Sequence, residues 1–317
     1  MRTKTFLLGA FAIIMLTACS NDENGVIDSP VSKAAFSATI DGPVTRAFDQ
    51  TWDRGDAIGI SGTSGTEAYT NVAYQTTDDG NFTVVTDGKE IYYQDNQPVM
   101  FTAYYPWNDL QGKTFIDADT WLQADQKTFD FLWAQAPGSK ADPTVAFTFS
   151  HRMAKVVLTI KKGADVSLDE VKAAVMSLGG FKHTGKFDVV NEGKAEATNN
   201  ETGLWQFSHN TGENGKYNAP VTVDENAKTV SYTLIMFPQE FGSKLPISAE
   251  LPDKQAFKAE LDFTAANGYA GDTNPQNEWI AGRQYNLSVT LHKTDIQVTG
   301  CTIEEWKPAD GGNVDAE

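Results

Sequence analysis

The alternation of apolar and polar residues at a period of two, repeated from Ala34 almost to the C-terminus, is what most restricts the fold open to this chain. The stretch AAFSATI sets Phe36, Ala38 and Ile40 on one side and Ser37 and Thr39 on the other. DAIGISG, NFTVV, EIYYQ, PVMFTAYYPW, TVAFTFSH and MAKVVLTIKKG follow, rich in β-branched and aromatic residues that suit a pleated, half-buried surface. GKFDVV, NEGKAEAT, TVSYTLIMFP, PISAELP, AFKAELDFT, QYNLSVTLHK and IQVTGCTIEEW continue the style. DDGN at 78–81 and TDGK at 86–89 read as hairpin turns, because Gly takes positive φ at no steric cost. Strands at this spacing predict an all-β protein of antiparallel sandwiches with at most short helices. One segment leaves two options. SLDEVKAAVMSLGG has a capping box, Ser167 with Glu170, then Val171, Val175 and Leu178 at helical spacing and glycines as a stop, so a short helix and an irregular strand both fit. A chain of 317 residues is long for one core, and this mid-chain segment divides it into predicted domains at 34–168 and 169–317.

Hydrophobic residues make up 40 % of the sequence and aromatics 11 %, enough to fill real cores. The net charge of −17 argues against nucleic acid as a partner and against binding anionic lipid through charge. The N-terminus, MRTKTFLLGAFAIIMLTACS, has a basic start at Arg2 and Lys4 and an apolar run from Phe6 to Leu16. That run falls short of the ~20 residues of a membrane span, which makes residues 1–18 a secretory signal peptide; the other option is an uncleaved anchor helix. Leu16-Thr17-Ala18-Cys19 resembles the lipobox of bacterial lipoproteins. The resemblance implies that Cys19 becomes the first residue, carries thioether and acyl (palmitate) chains and holds the protein on a membrane through lipid. Residues 19–33, polar and acidic, read as a flexible tether. With Cys19 lipidated, Cys301 is the one remaining thiol, so no internal disulfide forms. Cys301 is expected as a small buried hydrophobe, with intermolecular pairing left open.

No specific chemistry emerges from the motifs. His151, His183, His209 and His292 are scattered, none at metal-ligand spacing from another His or Cys. GKT at 112–114 lacks the first glycine of a phosphate loop, where Trp107 stands, and GISGTSG at 59–65 precedes no helix. Neither a Gly-x-Ser-x-Gly elbow nor a Ser-x-x-Lys pair occurs. The expectation is a protein that is not an enzyme, with no catalytic residues, metal or cofactor.

The segments VTRAFDQTWDRGDAIGISG, VMFTAYYPW, VAFTFSHRMAKVVLTI and GRQYNLSVTLHKTDIQVTGCTIEEW resemble the fimbrillin-like family, lipoprotein pilins and pilus-related surface proteins of gram-negative anaerobes, from about Phe36 to Trp306. The resemblance implies two tandem β-sandwich domains of transthyretin-like topology. It also implies export to the outer membrane as a surface lipoprotein, then cleavage by an arginine-specific maturation protease after Arg46, with Ala47 as the new N-terminus. Loss of the strand carrying Phe36, Ala38 and Ile40 then opens a groove, which a strand from another pilus subunit fills. The residues agree with each step. Gly42 and Pro43 break the strand, and Arg46 stands in the loop that follows. A sheet robbed of a strand exposes backbone groups that an added strand satisfies. Ile296 and Val298, in the last predicted strand, are the candidate donor residues.

Arg54 competes with Arg46 as the cutting site, although a cut there would split the next structured segment. A monomeric surface lipoprotein that binds glycan or host protein is the alternative reading, with Trp107, Trp121 and Trp133 as its expected aromatic platform.

Overall fold

The computed structural model describes residues 32–41, 51–77, 79–198, 202–209, 219–242, 244–262 and 278–306. Their regular secondary structure is almost entirely strand, with one short α-helix at Leu168–Ala173 and one 3-10 turn at Gln126–Thr128.

Seven strands of the N-terminal half close into a barrel: Thr144–His151, Ala35–Ile40, Asn81–Val84, Glu67–Thr76, Ala57–Ser64, Val99–Tyr105 and Leu132–Gly138, which returns to Thr144–His151. Their inward residues form one core, in which Phe36, Ile58, Ile60, Tyr74, Phe101 and Phe147 are buried. The C-terminal half is a sandwich. Its five-stranded sheet runs in the order Val221–Asp224, Thr229–Met236, Ala154–Lys162, Arg283–Leu291 and Ile296–Glu305. The four-stranded sheet runs Thr202–Phe207, Val175–Lys182, Lys244–Glu250 and Ala256–Asp262. Ala154, Val156, Leu158 and Ile160 face this second core, beside Val230, Tyr232, Leu234 and Met236 and beside Tyr285, Leu287, Val289 and Leu291. Such strict alternation is what a sheet with one buried face requires. The change from one core to the other falls between Phe149 and Ala154, ahead of residue 168.

A third cluster joins the halves. A small sheet of Ala195–Ala197, Thr184–Asp188 and Phe115–Asp119 contributes Phe187, whose ring stacks on Phe131 at 4.5 Å. Trp306, at the end of the last strand, is buried in the same cluster and stacks on His151 at 3.8 Å.

Three local expectations change. Ser167 and Glu170 do form a capping box, with Ser167 N donating to Glu170 Oε2 at 2.8 Å and Glu170 N to Ser167 Oγ at 3.1 Å. The helix nonetheless stops at Ala173, and Val175 and Leu178 belong to the strand that follows. Gly179 and Gly180 are therefore not its stop. They sit at a register shift in that strand, where Gly180 has φ +93°. The TDGK turn makes no hairpin, since Asn81–Val84 before it pairs with Ala35–Ile40 and Glu67–Thr76. Finally, two pairings are parallel: Thr144–Phe149 with Ala35–Ile40, and Lys155–Lys162 with Gln284–Leu291. Each joins segments far apart in the chain, so no tight turn dictates the direction.

Leu158 lies on the central strand of the five-stranded sheet and is fully buried. Leu158→Ala is expected to cost about 2–5 kcal/mol in urea unfolding. Lys161→Ala, at an exposed position of the same strand, should stay within about 0.5 kcal/mol of wild type.

Candidate functional site

The barrel closes through its first strand. Ala35–Ile40 lies between Thr144–His151, with six residue pairs in register, and Asn81–Val84, with two. Phe36 (4 % exposed) and Ala38 are buried and Ile40 is half-buried, so the three residues of the expected apolar side do face inward. Phe36 carries most of the contact. Its ring stacks against Phe147 at 5.9 Å and meets Tyr74 and Phe101 edge-on at 4.9 and 5.4 Å. Backbone bonds hold the strand along its length: Ala34 N to Ile91 O (2.9 Å), Ala35 N to Pro143 O (3.0 Å), Ala38 N to Gly80 O (2.8 Å) and Asp41 N to Phe149 O (2.6 Å).

Arg46 and Ala47, and the lipid-attachment residue Cys19, lie outside the described residues. The chain is described again from Thr51, and there it is firmly attached to the barrel. Trp52 (6 % exposed) meets Phe82, Tyr105 and Phe149 edge-on, and its indole N–H donates to Ala38 O at 2.8 Å. Lys127 pairs with Asp53, and Tyr105 Oη donates to Asp56 at 3.1 Å. Burial of Tyr105, with Asp56 beside it, holds its hydroxyl protonated well above the usual tyrosine range. Arg54 is exposed, in a turn where Asp56 N donates to Asp53 O and Gly55 has φ +97°. A cut between Asp41 and Thr51 would thus leave Trp52 seated in the barrel core, whereas a cut after Arg54 would detach it.

Trp52 is not among the site residues expected from the sequence, and Gly80 is expected there only as the glycine of the DDGN turn. Trp52 gave one available signal, a bulky aromatic in an otherwise polar stretch, DQTWDRGD. Gly80 has φ +73°, and a Cβ there would meet Ala38 O at 2.7 Å, so this glycine lets the turn approach the first strand closely.

The candidate donor residues sit in the last strand, an edge of the five-stranded sheet that is paired with Arg283–Leu291 on both sides of a register shift between Ser288 and Val289. Ile296 is buried in the second core, while Val298 is 40 % exposed. Cys301 is half-buried against that core, and burial pushes its thiol up to about 12, so it stays protonated.

The three tryptophans expected as a platform have separate surroundings. Trp107 Nε1 donates to Asn71 O at 3.4 Å, Trp121 lies against His183 at 4.8 Å, and Trp133 Nε1 donates to Val189 O at 3.2 Å with Arg152 over its ring. His151, His183 and His292 each pair with one aspartate, Asp130, Asp119 and Asp165. Among the described residues no group of three or more His, Cys, Asp or Glu side chains is arranged to hold a metal.

The profile of the fimbrillin-like family matches residues 45–306. The chain belongs to the fimbrillin-like family. The match begins one residue before Arg46, so the first strand lies ahead of it. A Bacteroides uniformis protein named as a candidate fimbrium subunit is 26 % identical over 323 residues, covering 98 % of each chain. The crystal structure of a candidate cell adhesion protein from the same species superposes with a TM-score of 0.65 at 26 % identity, over 87 % of this chain and 99 % of that one. A second such protein, from Bacteroides ovatus, shares the fold with a TM-score of 0.67 at 22 % identity, over 88 % of this chain and 99 % of its own. These findings place the fimbrillin-like chain among pilus-related cell-surface adhesion proteins, whose family is structural rather than catalytic.

Trp52→Phe keeps the ring and removes the N–H, and should destabilise the first strand by about 0.5–1.5 kcal/mol, read as faster amide exchange over Ala34–Ile40. Gly80→Ala should cost more than Gly88→Ala. Both glycines have positive φ, but a Cβ at Gly88 meets nothing within 4 Å. The difference in urea midpoint between the two variants therefore measures the contact with the first strand.

Proposed function

We propose that this fimbrillin-like chain is a pilus subunit activated by loss of its first strand. It is exported as a lipoprotein held on the outer membrane through Cys19, and a protease cuts after Arg46. The strand carrying Phe36, Ala38 and Ile40 then leaves, and a strand from another pilus subunit takes its place. Two β-domains carry the fibre contacts. The observation that carries this reading is the position of Ala35–Ile40. It closes the barrel as an insert between two strands, it is followed at once by the segment that holds Arg46, and the chain beyond that segment is anchored by the contacts of Trp52 with Phe82, Tyr105 and Phe149. Its removal would uncover two strand edges and the aromatic pocket of Phe36, whose burial alone is worth about 1.5–3 kcal/mol. An incoming strand that restores both is favoured for the same reasons. The start of the family match at residue 45 fits a shared body that begins at the cut.

The acceptor role is the better supported half. Donation through Ile296 and Val298 would require Ile296 to leave the second core and Trp306 to unstack from His151. The alternative of a monomeric binder lacks its expected platform, because Trp107, Trp121 and Trp133 keep separate partners.

Limited digestion of the residue 20–317 form with an arginine-specific protease is expected to give a new N-terminus at Ala47, followed by polymers on sizing. Arg46→Ala should abolish both and Arg54→Ala neither. Resistance at Arg46, or a cut product that stays monomeric and keeps its first strand, would overturn the reading. In cells, Cys19→Ala should abolish palmitate labelling and shift the protein out of the membrane fraction.

A further inference from the structure

The barrel carries a second feature, remote in purpose from strand exchange. Asn71 has φ +52°, an uncommon conformation for a residue other than glycine, beside the register irregularity between Ile60 and Gly62 on the neighbouring strand. Strain of this kind persists where surrounding contacts enforce it. Here they do. Asn71 N donates to Ser61 Oγ (2.9 Å), Tyr104 Oη donates to Asn71 Oδ1 (2.7 Å), and Asn71 Nδ2 donates to Asn108 O (2.9 Å). The network fills space that only a glycine leaves, since a Cβ at Gly59 would meet the Tyr104 ring at 2.4 Å and Asn71 Oδ1 at 2.6 Å.

What the network positions is Trp107. Its indole N–H donates to Asn71 O at 3.4 Å and its backbone N–H to Ala57 O at 2.8 Å, yet the residue is 38 % exposed. A lone exposed aromatic needs no explanation. One tied at both ends to a strained residue and a strand does, because its ordering stabilises no core. Trp107 borders a surface cavity of about 560 Å³ whose other walls include Glu67, Thr70, Thr86 and Lys89. That volume is within the usual range for small-molecule sites, about 300–1,000 Å³.

We infer that this cavity is a saccharide-binding site, with Trp107 as the stacking ring and Thr70, Thr86, Glu67 and Lys89 as hydrogen-bonding groups. An exposed indole ring beside the apolar side chains of Val72 and Val84 and the hydroxyls of Thr70 and Thr86 suits a pyranose, which has an apolar face and a hydroxyl rim. Glu67 and Lys89 bring opposite charges, and Glu90, which also lines the cavity, is paired with Lys33 at 3.3 Å, so the lining matches a neutral sugar rather than an anion or cation. The site is independent of cleavage at Arg46 and is present in the uncut chain.

The test is titration of the residue 20–317 form with cellotriose, maltotriose, mannotriose and triacetylchitotriose, read by tryptophan fluorescence and saturation-transfer NMR. At least one is expected to bind with a Kd in the millimolar range or below, and Trp107→Ala should weaken it at least about tenfold. Trp121→Ala, a change at the other strongly exposed tryptophan, should leave binding unchanged. Thr70→Arg, at an exposed position on the cavity wall, should block binding with no loss of thermal stability, which covers the case in which Trp107→Ala misfolds. Absence of binding to all four sugars at about 10 mM would overturn the inference. So would binding that survives Trp107→Ala and Thr70→Arg, or that depends on Trp121.

Discussion

The stacking of Phe36 into the aromatic nest of Tyr74, Phe101 and Phe147 is the contact on which the barrel depends. It belongs to a strand whose two neighbours, Thr144–His151 and Asn81–Val84, otherwise present free edges to one another. With that strand in place the N-terminal sheet has no edge; without it, two edges and an apolar trough open together. The strand is also short and is preceded by Ser32–Lys33, which pairs antiparallel with Tyr92–Tyr93, so it is joined to the rest of the fold through pairing and side chains.

The C-terminal half is organised differently. Its five-stranded sheet has a central strand, Ala154–Lys162, paired on both sides over eight residues, and every second residue is buried. Here the last strand is the edge, and it is fastened at both ends: Ile296 in the core, Trp306 on His151. Since His151 ends the strand that pairs with Ala35–Ile40, the two chain ends of the described fold meet the same element. The first strand of the fimbrillin-like chain is thus held by ladders on both sides and by Phe36, and the last strand by one ladder, Ile296 and Trp306.

Much of the site was legible from residues alone. Phe36, Ala38 and Ile40 were readable as one buried side because a strand's side chains alternate, and the capping box at Ser167 and Glu170 announced the only α-helix among the described residues. What misled was spacing without context. Val171, Val175 and Leu178 fit a helical stripe, yet Leu178 pairs with Trp205 and Ile247 in a sheet. Ile296 and Val298 are two apart and look equivalent, yet only Ile296 reaches the core. The three tryptophans looked like one platform, and the fold sent each to a different neighbourhood.

Period-two alternation, Gly turns and the lack of long helical stripes determined by themselves that this chain would be all-β, because local backbone sterics and side-chain alternation act within a few residues. Only the tertiary structure decided that the first strand would lie parallel to Thr144–Phe149, that Trp52 would reach back to Ala38, and that Asn71 would fix Trp107. Each of these joins residues distant in sequence or unconstrained by any turn. Their partners are chosen by which closed, fully paired arrangement buries the most apolar surface, a property of the whole chain that no short stretch encodes.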